Sequence, residues 1–248
     1  MSNSCQDIEQ MLDTLNLPVC LKTFNELMGD PQLGAYSPVQ FLRELLEPQY
    51  RECINKTFES NLRHSKLLDT SPDIKNLKTG NGRVYNETTV DQILTFRFAE
   101  DRLNVGVYGV TGVGKSYFLA ALCVEACRRN YGCQYVDYDC LLDELIALKR
   151  SGDIKKYNKK VKYYAKIQLL FIDDFGINRY PEEGMDVLYQ LTKMRADLKK
   201  STLFSCQYAP AEWKLHLSDT PDCYGKLDGI RRRLTTGYTV LIEKSDDQ

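Results

Sequence analysis

The run Gly109-Val110-Thr111-Gly112-Val113-Gly114-Lys115-Ser116 constrains this chain more than any other stretch. It matches G-x-x-x-x-G-K-[ST], in which glycines let successive backbone N–H groups curl inward around phosphate oxygens. In that pattern the lysine places its charge on the β- and γ-phosphates, and the Ser116 hydroxyl can ligate Mg²⁺. A helix opening at this point aims its positive end at the same anions. The flanks agree: Leu103–Tyr108 reads as a short strand, and Ser116–Arg129 as a helix with Phe118, Leu119, Leu122 and Ala126 on one face. Gly109 through Ser116, with Tyr117 beside them, are the expected nucleotide-binding residues.

A second segment completes such a site. Leu169-Leu170-Phe171-Ile172-Asp173-Asp174 is an apolar run of the kind a parallel sheet buries, and it ends in two carboxylates. Adjacent acids at the end of a buried strand are costly unless a metal or a water chain uses them. Asp173 is the expected Mg²⁺ ligand with Ser116, and Asp174 the residue that orients and activates an attacking water. Many hydrolases of this class carry Glu at the second position, so the shorter Asp174 bears on rate rather than on binding. Thr202–Gln207 reads as a further strand with a polar tip. In P-loop ATPases with an added strand between these two, that tip senses the γ-phosphate. Gln207 is the first candidate sensor and Ser205 the second.

The 248 residues suffice for one large domain, or for a core domain with an appendage. Residues 6 to about 68 read as helical: Ile8, Met11, Leu12 and Leu15 recur at helical spacing, as do Leu21, Phe24, Leu27 and Met28. Ser37-Pro38-Val39-Gln40 has the form of a capping box, followed by Phe41, Leu42, Leu45 and Leu46 as an apolar face. Pro48 is expected to kink or end that helix, with Tyr50, Ile54, Phe58 and Leu62 continuing a similar stripe. The domain division expected is a helical unit at 1–69, a linker at 70–86 rich in Pro, Gly and Asn, and the nucleotide-binding domain at 87–248. That domain opens on a helix from about Glu87 to Phe98. The helical unit, with ten acidic and six basic residues, reads either as a plain packed bundle or as a docking module for a protein partner.

The nine cysteines are scattered without a C-x-x-C pair, so a zinc site from Cys123, Cys127, Cys133 and Cys140 has no standard spacing, and a reducing cytosol is the expected setting. The polar, acidic Met1–Gln10 stretch does not read as a signal peptide, and no apolar run reaches bilayer length. A soluble, cytoplasmic protein is expected.

Two basic stretches invite a polyanion. Residues 149–166 hold eight basic residues and one acidic, interleaved with Tyr157, Tyr163 and Tyr164. They read either as a solvated helix face or as a strip gripping nucleic-acid backbone, with Lys155, Lys156, Lys159, Lys160, Lys162 and Lys166 as the contacts. Arg231, Arg232 and Arg233 precede the last expected strand, Gly237–Ile242. A guanidinium there can neutralise a transferring phosphoryl group, contact DNA phosphate, or serve as surface charge.

Taken in order, a helical N-terminal region, G-V-T-G-V-G-K-S, L-L-F-I-D-D-F-G, F-S-C-Q-Y-A-P-A-E-W, R-R-R-L and G-Y-T-V-L-I-E-K resemble the IstB-like transposition helper ATPases, over essentially the whole chain. These are relatives of the DnaC-type helicase loaders within the AAA+ class. The resemblance implies an α/β three-layer P-loop fold with a five-stranded parallel sheet, flanked by helices and preceded by a small all-helical domain. It implies ATP and Mg²⁺ as cofactors and a homo-oligomer on duplex DNA that works with a transposase. It also implies little or no C-terminal lid. By position Arg233 matches the family's arginine before Leu, which makes it the candidate for a finger acting on a neighbouring subunit. Arg231 and Arg232 depart from the apolar and acidic residues usual there and are read as DNA contacts. The rival readings are a DnaC-like loader that binds single-stranded DNA, a small-metabolite P-loop kinase, and a weakly hydrolysing, ATP-gated scaffold on DNA.

Overall fold

The structure is a computed structural model that describes residues 3–77, 83–217 and 220–244. It divides into two compact units, residues 1–60 and 61–248. The expected linker therefore lies within the second unit. It holds a 3₁₀ turn, Ile74–Asn76, while its residues 78–82 fall outside the described residues.

The first unit is built from α1 (Asn3–Thr14), α2 (Pro18–Met28) and α3 (Pro38–Ser65), whose last turn belongs to the second unit. Its buried core is small: Cys20, Phe24 and Leu45, with Leu12, Leu17, Leu27 and Phe41 packed against them. Ser37 Oγ accepts the Gln40 amide at 3.2 Å, which supplies the expected N-cap. Two expectations are corrected here. Pro48 lies inside α3 and does not end it. Its missing hydrogen bond is bracketed by the i,i+4 ion pairs Arg43–Glu47, Arg51–Glu47 and Lys56–Glu52. The stripe after Phe41 also splits. Leu45 turns inward, while Val39, Leu42, Leu46, Tyr50 and Ile54 stay exposed along one face.

The second unit is organised by a five-stranded parallel sheet. Its strands are β2 (Asn104–Tyr108), β3 (Cys133–Asp137), β4 (Leu169–Phe175), β5 (Ser201–Cys206) and β6 (Gly237–Leu241), in the spatial order β3-β4-β5-β2-β6. A two-residue ribbon pairs β1 (Arg83–Val84) with β7 (Glu243–Lys244). The connecting helices are α4 (Glu87–Leu94), α5 (Arg97–Asp101), α6 (Lys115–Arg128), α7 (Tyr138–Arg150), α8 (Ile154–Lys166), α9 (Glu182–Asp197), the short α10 (Trp213–His216) and α11 (Tyr224–Leu234). The single helix expected over 87–98 is two: Phe96 takes a left-handed conformation (φ 63°), which breaks the ladder between α4 and α5.

Strand alternation sorts the core. Leu170, Ile172 and Phe204 join one apolar cluster with α7, α8, α9 and α11, while α6 packs against β2, β3, β4 and β5 apart from that cluster. The layers are thus helix, sheet and helix. Trp213 is buried against Phe175 and Phe204, with its indole N–H donating to Tyr208 O, so it is a core residue.

At the start of the strands one side chain joins three elements. Asn104 Oδ1 accepts the Thr202 amide at 2.7 Å and Nδ2 donates to Arg233 O at 2.8 Å, tying β2 to β5 and to the end of α11. Opposite it, Gly237 (φ 140°) lets β6 approach, since a Cβ there would sit 2.1 Å from Asn104 O. Replacing Asn104 by Ala removes both side-chain bonds and is expected to lower the unfolding free energy by about 2 kcal/mol, read as a lower midpoint in urea with an unchanged slope.

Candidate functional site

The nucleotide-binding motif lies where the sheet makes it physically useful. β2 ends at Tyr108 and α6 begins at Lys115, so the loop between them crosses the carboxyl edge of the sheet. Gly112 (φ 78°) and Gly114 (φ 99°) take left-handed conformations that a side chain would resist. Lys115 is buried, and its ammonium donates to Val110 O at 3.0 Å across the loop. Burial pushes its pKa down, and the Asp174 and Asp173 carboxylates push back.

Asp173 and Asp174 come from the end of β4, next but one to β2 in the sheet. The strand bulges between Ile172 and Phe175, and Asp174 has φ 51°. A bulge adds a residue and bends the strand, which lets two successive side chains serve the same edge. Asp173 is held from three sides. Ser116 Oγ lies 3.1 Å from its Oδ1, Ser205 Oγ donates to the same oxygen, and Tyr135 Oη donates to Oδ2 at 2.6 Å. The Asp174 carboxylate, by contrast, has no hydrogen-bond donor among the described residues. Burial raises its pKa, the neighbouring Asp173 charge adds to this, and Lys115 opposes it.

The structure thus brings Lys115, Ser116, Asp173 and Asp174 together, as the two motifs require. Ser205, read as second candidate sensor, is fully buried and bonds both acids, since its Oγ also accepts the Asp174 amide at 2.8 Å. Gln207 follows the last residue of β5, whose neighbours on either side are Tyr108 and Phe175. It is half-buried, and its side chain has no hydrogen-bond partner among the described residues.

Three residues escape sequence reasoning. Tyr135 sits in the middle of β3, where an aromatic reads as core. Arg83 lies against the loop: a Cβ on Gly114 would come 2.7 Å from its Cζ, and its guanidinium lies 5.8 Å from the Tyr117 ring centre. Tyr85 packs edge-on against Phe118, and its buried hydroxyl has no hydrogen-bond partner among the described residues. Tyr85 also lines a recess of about 540 Å³ with Ile74, Leu77, Val90 and Leu94. The turn holding Ile74 is fixed to the first turn of α6, because Tyr117 Oη accepts from the Asp73 amide and Asn76 Nδ2 at 3.3 Å each. No pattern in the sequence marks Arg83 or Tyr85, since the contacts span some thirty positions.

The expected DNA contacts separate on the structure. On α8, Tyr157, Val161 and Tyr164 are buried. Lys155, Lys159, Lys162 and Lys166, with Asn158 and Tyr163, line one open groove of about 540 Å³. Lys160 faces elsewhere: it is paired with Glu144 Oε1 at 2.6 Å and lies over the Tyr163 and Tyr164 rings. Lys156 is paired with Asp153 at 3.2 Å. Arg231 is 3.3 Å from Asp228, whereas Arg233 donates to Gly229 O at 2.9 Å and lies over the Tyr189 ring. Because Asn104 at the start of β2 bonds Arg233 O, these arginines lie at the opposite end of that strand from the nucleotide loop. Among the described residues there is no group of three or more His, Cys, Asp or Glu side chains arranged to hold a metal ion. No helix of the described residues is long and apolar enough to cross a membrane.

A family profile described as IstB-like ATP binding protein matches residues 10–232. The chain belongs to that family. An insertion-sequence ATP-binding protein of Sinorhizobium fredii is 26% identical over 209 residues, covering 84% of this chain and 82% of that one. Another, from Bacillus thuringiensis subsp. berliner, is 25% identical over 240 residues, covering 95% and 92%. The fold of this IstB-like chain is that of solved replication proteins. DnaI superposes with a TM-score of 0.58 at 22% identity, over 70% of this chain and 92% of that one. A replication initiator DnaA bound to AMPPCP and single-stranded DNA gives 0.57 at 20% identity, over 73% of this chain and about half (52%) of that one. The fold is therefore the AAA+ α/β architecture, and the chain is an ATP-binding protein of the insertion-sequence type.

The bonding around Asp173 ranks its neighbours. Ser205→Ala removes two hydrogen bonds that serve the paired acids and is expected to lower the unfolding free energy by about 3 kcal/mol. Tyr135→Phe removes one and should lower it by about 1.5 kcal/mol, both read from urea unfolding of the nucleotide-free protein.

Proposed function

We propose that this chain is an ATPase that binds ATP·Mg²⁺ at the Lys115–Asp173 site, assembles as a homo-oligomer on duplex DNA, and assists a transposase in moving an insertion sequence. The observation that carries the reading is the convergence of the Lys115 ammonium, the Ser116 hydroxyl and the fixed Asp173 carboxylate at one edge of the sheet. A serine hydroxyl beside one carboxylate is an oxygen donor pair suited to Mg²⁺, which takes few protein ligands and completes its shell with water and substrate phosphates. When bound, that ion supplies charge neutralisation at the β- and γ-phosphates.

The remaining steps belong to the chain's own groups. The loop amides and Lys115 hold the phosphates. The recess lined by Tyr85, Ile74, Leu77, Val90 and Leu94 takes the base. Asp174, whose carboxylate has no donor among the described residues, accepts a hydrogen bond from the attacking water and orients it, and Gln207 reports on the γ-phosphate. Arg233 lies at the far end of β2 from its own loop, so it completes the site of a second copy. Nucleotide and assembly are then coupled, and an isolated copy hydrolyses slowly.

The open lysine groove of α8 is the proposed DNA contact, with Lys156 and Lys160 excluded by their ion pairs. The helical unit at 1–69 is the proposed docking module for the transposase. The exposed Val39, Leu42, Leu46 and Tyr50 on α3 offer it an apolar face.

Trans action is tested by mixing two inactive proteins. Lys115→Ala is expected to lose at least about 100-fold in ATP affinity, and Arg233→Ala to keep that affinity while losing about 10³-fold in DNA-stimulated hydrolysis. Equimolar mixing should restore part of the rate, and no restoration would remove Arg233 from the role. For DNA, a Lys159→Gln, Lys162→Gln pair should reduce the slope of log affinity against log salt on duplex by about 2, while Lys160→Gln leaves it unchanged. Tighter binding to single strands than to duplex would instead favour the helicase-loader reading.

A further inference from the structure

A second concentration of positive charge lies at the amino edge of the sheet, away from the nucleotide loop. A recess of about 300 Å³ opens there between the ends of α5, α9 and α11, and Arg102, Lys199, Lys200, Arg232 and Arg233 line it. No carboxylate lines it. The side chains of Arg102, Lys199, Lys200 and Arg232 have no hydrogen-bond or ion-pair partner among the described residues.

A sixth cation forms the wall. Arg195 is 2% exposed and spends its donors on neutral acceptors: Thr202 Oγ1, Tyr164 O, Ile167 O and Ser201 O. Burial pushes its pKa down to about 9, which still leaves it a cation at neutral pH. Its charge is solvated by dipoles but not neutralised by an acid.

The backbone adds an independent sign. Arg102 (φ 63°) and Lys199 (φ 54°) both take the left-handed conformation. Each closes the end of a helix: Leu103 N–H returns to Phe98 O, and Lys200 N–H to Arg195 O. At such a position glycine is the unstrained residue, and a side chain costs about 1 kcal/mol. A cation does gain something from a helix carboxyl end. That gain does not explain why two different helices bring their strained cations to the same recess.

We propose that this recess is a second phosphate-oxyanion site, distinct from the nucleotide loop, whose ligand is a clustered polyanion held by Arg102, Lys199, Lys200 and Arg232. Two sources carry that chemistry: the nucleotide tail bound to a second copy of this chain, and the backbone of DNA.

The test uses a variant that removes charge while relieving strain, Arg102→Gly with Lys199→Gly. A second pair, Arg102→Asn with Lys199→Asn, keeps a side chain that tolerates the left-handed backbone. Inorganic tripolyphosphate is titrated calorimetrically into the full chain. Wild type is expected to show two sites and Lys115→Ala one. Adding either pair to Lys115→Ala should abolish the last, with the melting temperature of each pair equal to or above that of wild type. Retention of that site in both pairs, or its absence from Lys115→Ala, overturns the proposal. This arm does not depend on the nucleotide reading, because the loop is silenced throughout.

Two further arms, on the pairs with Lys115 intact, separate the sources. Duplex affinity without nucleotide that falls about tenfold, with a salt slope lower by about 2, assigns the DNA backbone. ATP-driven self-association without DNA, followed by sedimentation, rests on the proposed nucleotide site, and its loss assigns the nucleotide of a second copy. If both are retained in both pairs, the site has no physiological phosphate and the proposal fails.

Discussion

One carboxylate gathers the second unit's chemistry. Asp173 accepts hydrogen bonds from β3 through Tyr135, from β5 through Ser205 and from the first turn of α6 through Ser116. A half-buried carboxylate loses part of its hydration, and protein donors replace what is lost. Three hydroxyls fix its orientation before any ligand arrives. Because they come from strands on both sides of β4 and from the helix behind it, the sheet order β3-β4-β5-β2 and the position of this group stand or fall together.

The two neighbouring acids are consequently unlike. Asp173 is saturated with donors, whereas Asp174 stands on the bulge in a left-handed conformation with an unpartnered carboxylate and a raised pKa. An acid that is held suits the task of holding, and one that is free suits orienting a mobile water. The shorter side chain of Asp, compared with the Glu common at such positions, is accompanied here by a backbone displacement. A bulge at this step shifts the residue without lengthening it. Reach can therefore be supplied by the main chain.

How much of this could be read beforehand depends on the range of the interaction concerned. Phosphate loops are legible because the constraint is local: three glycines and a lysine within eight positions, with a strand before and a helix after. The β4 strand and its acids were legible for the same reason. Tyr135, Arg83 and Tyr85 were not, because their roles arise only when strands distant in sequence are set side by side, and each residue type is ordinary in its own segment. At Pro48, expected to kink or end the helix, only the ending fails. Its local rule is strong, but α3 continues through it, so neighbouring turns and ion pairs outweigh one lost hydrogen bond. The lysines of α8 looked alike in the sequence, yet helical periodicity sends Lys160 to Glu144 while Lys155, Lys159, Lys162 and Lys166 remain on an open face.

A parallel sheet has two chemically different ends, and this chain treats them differently. The carboxyl edge carries the loop glycines, Lys115 and two acids, a mixture able to hold an anion together with a cation. The recess at the amino edge is lined by cations and no carboxylate: Arg102, Lys199, Lys200, Arg232 and Arg233, over the buried charge of Arg195. Leaving so much like charge unneutralised raises the free energy of the isolated chain. Such an arrangement is relieved when a polyanion arrives at that edge, and the site proposed above would take it from a second copy's nucleotide or from a DNA backbone. The edges need not match each other in shape for this to favour association. They need only place phosphate where the unpaired cations are, and on the proposed reading a contact between copies would run from the loop of one to the cations of the next.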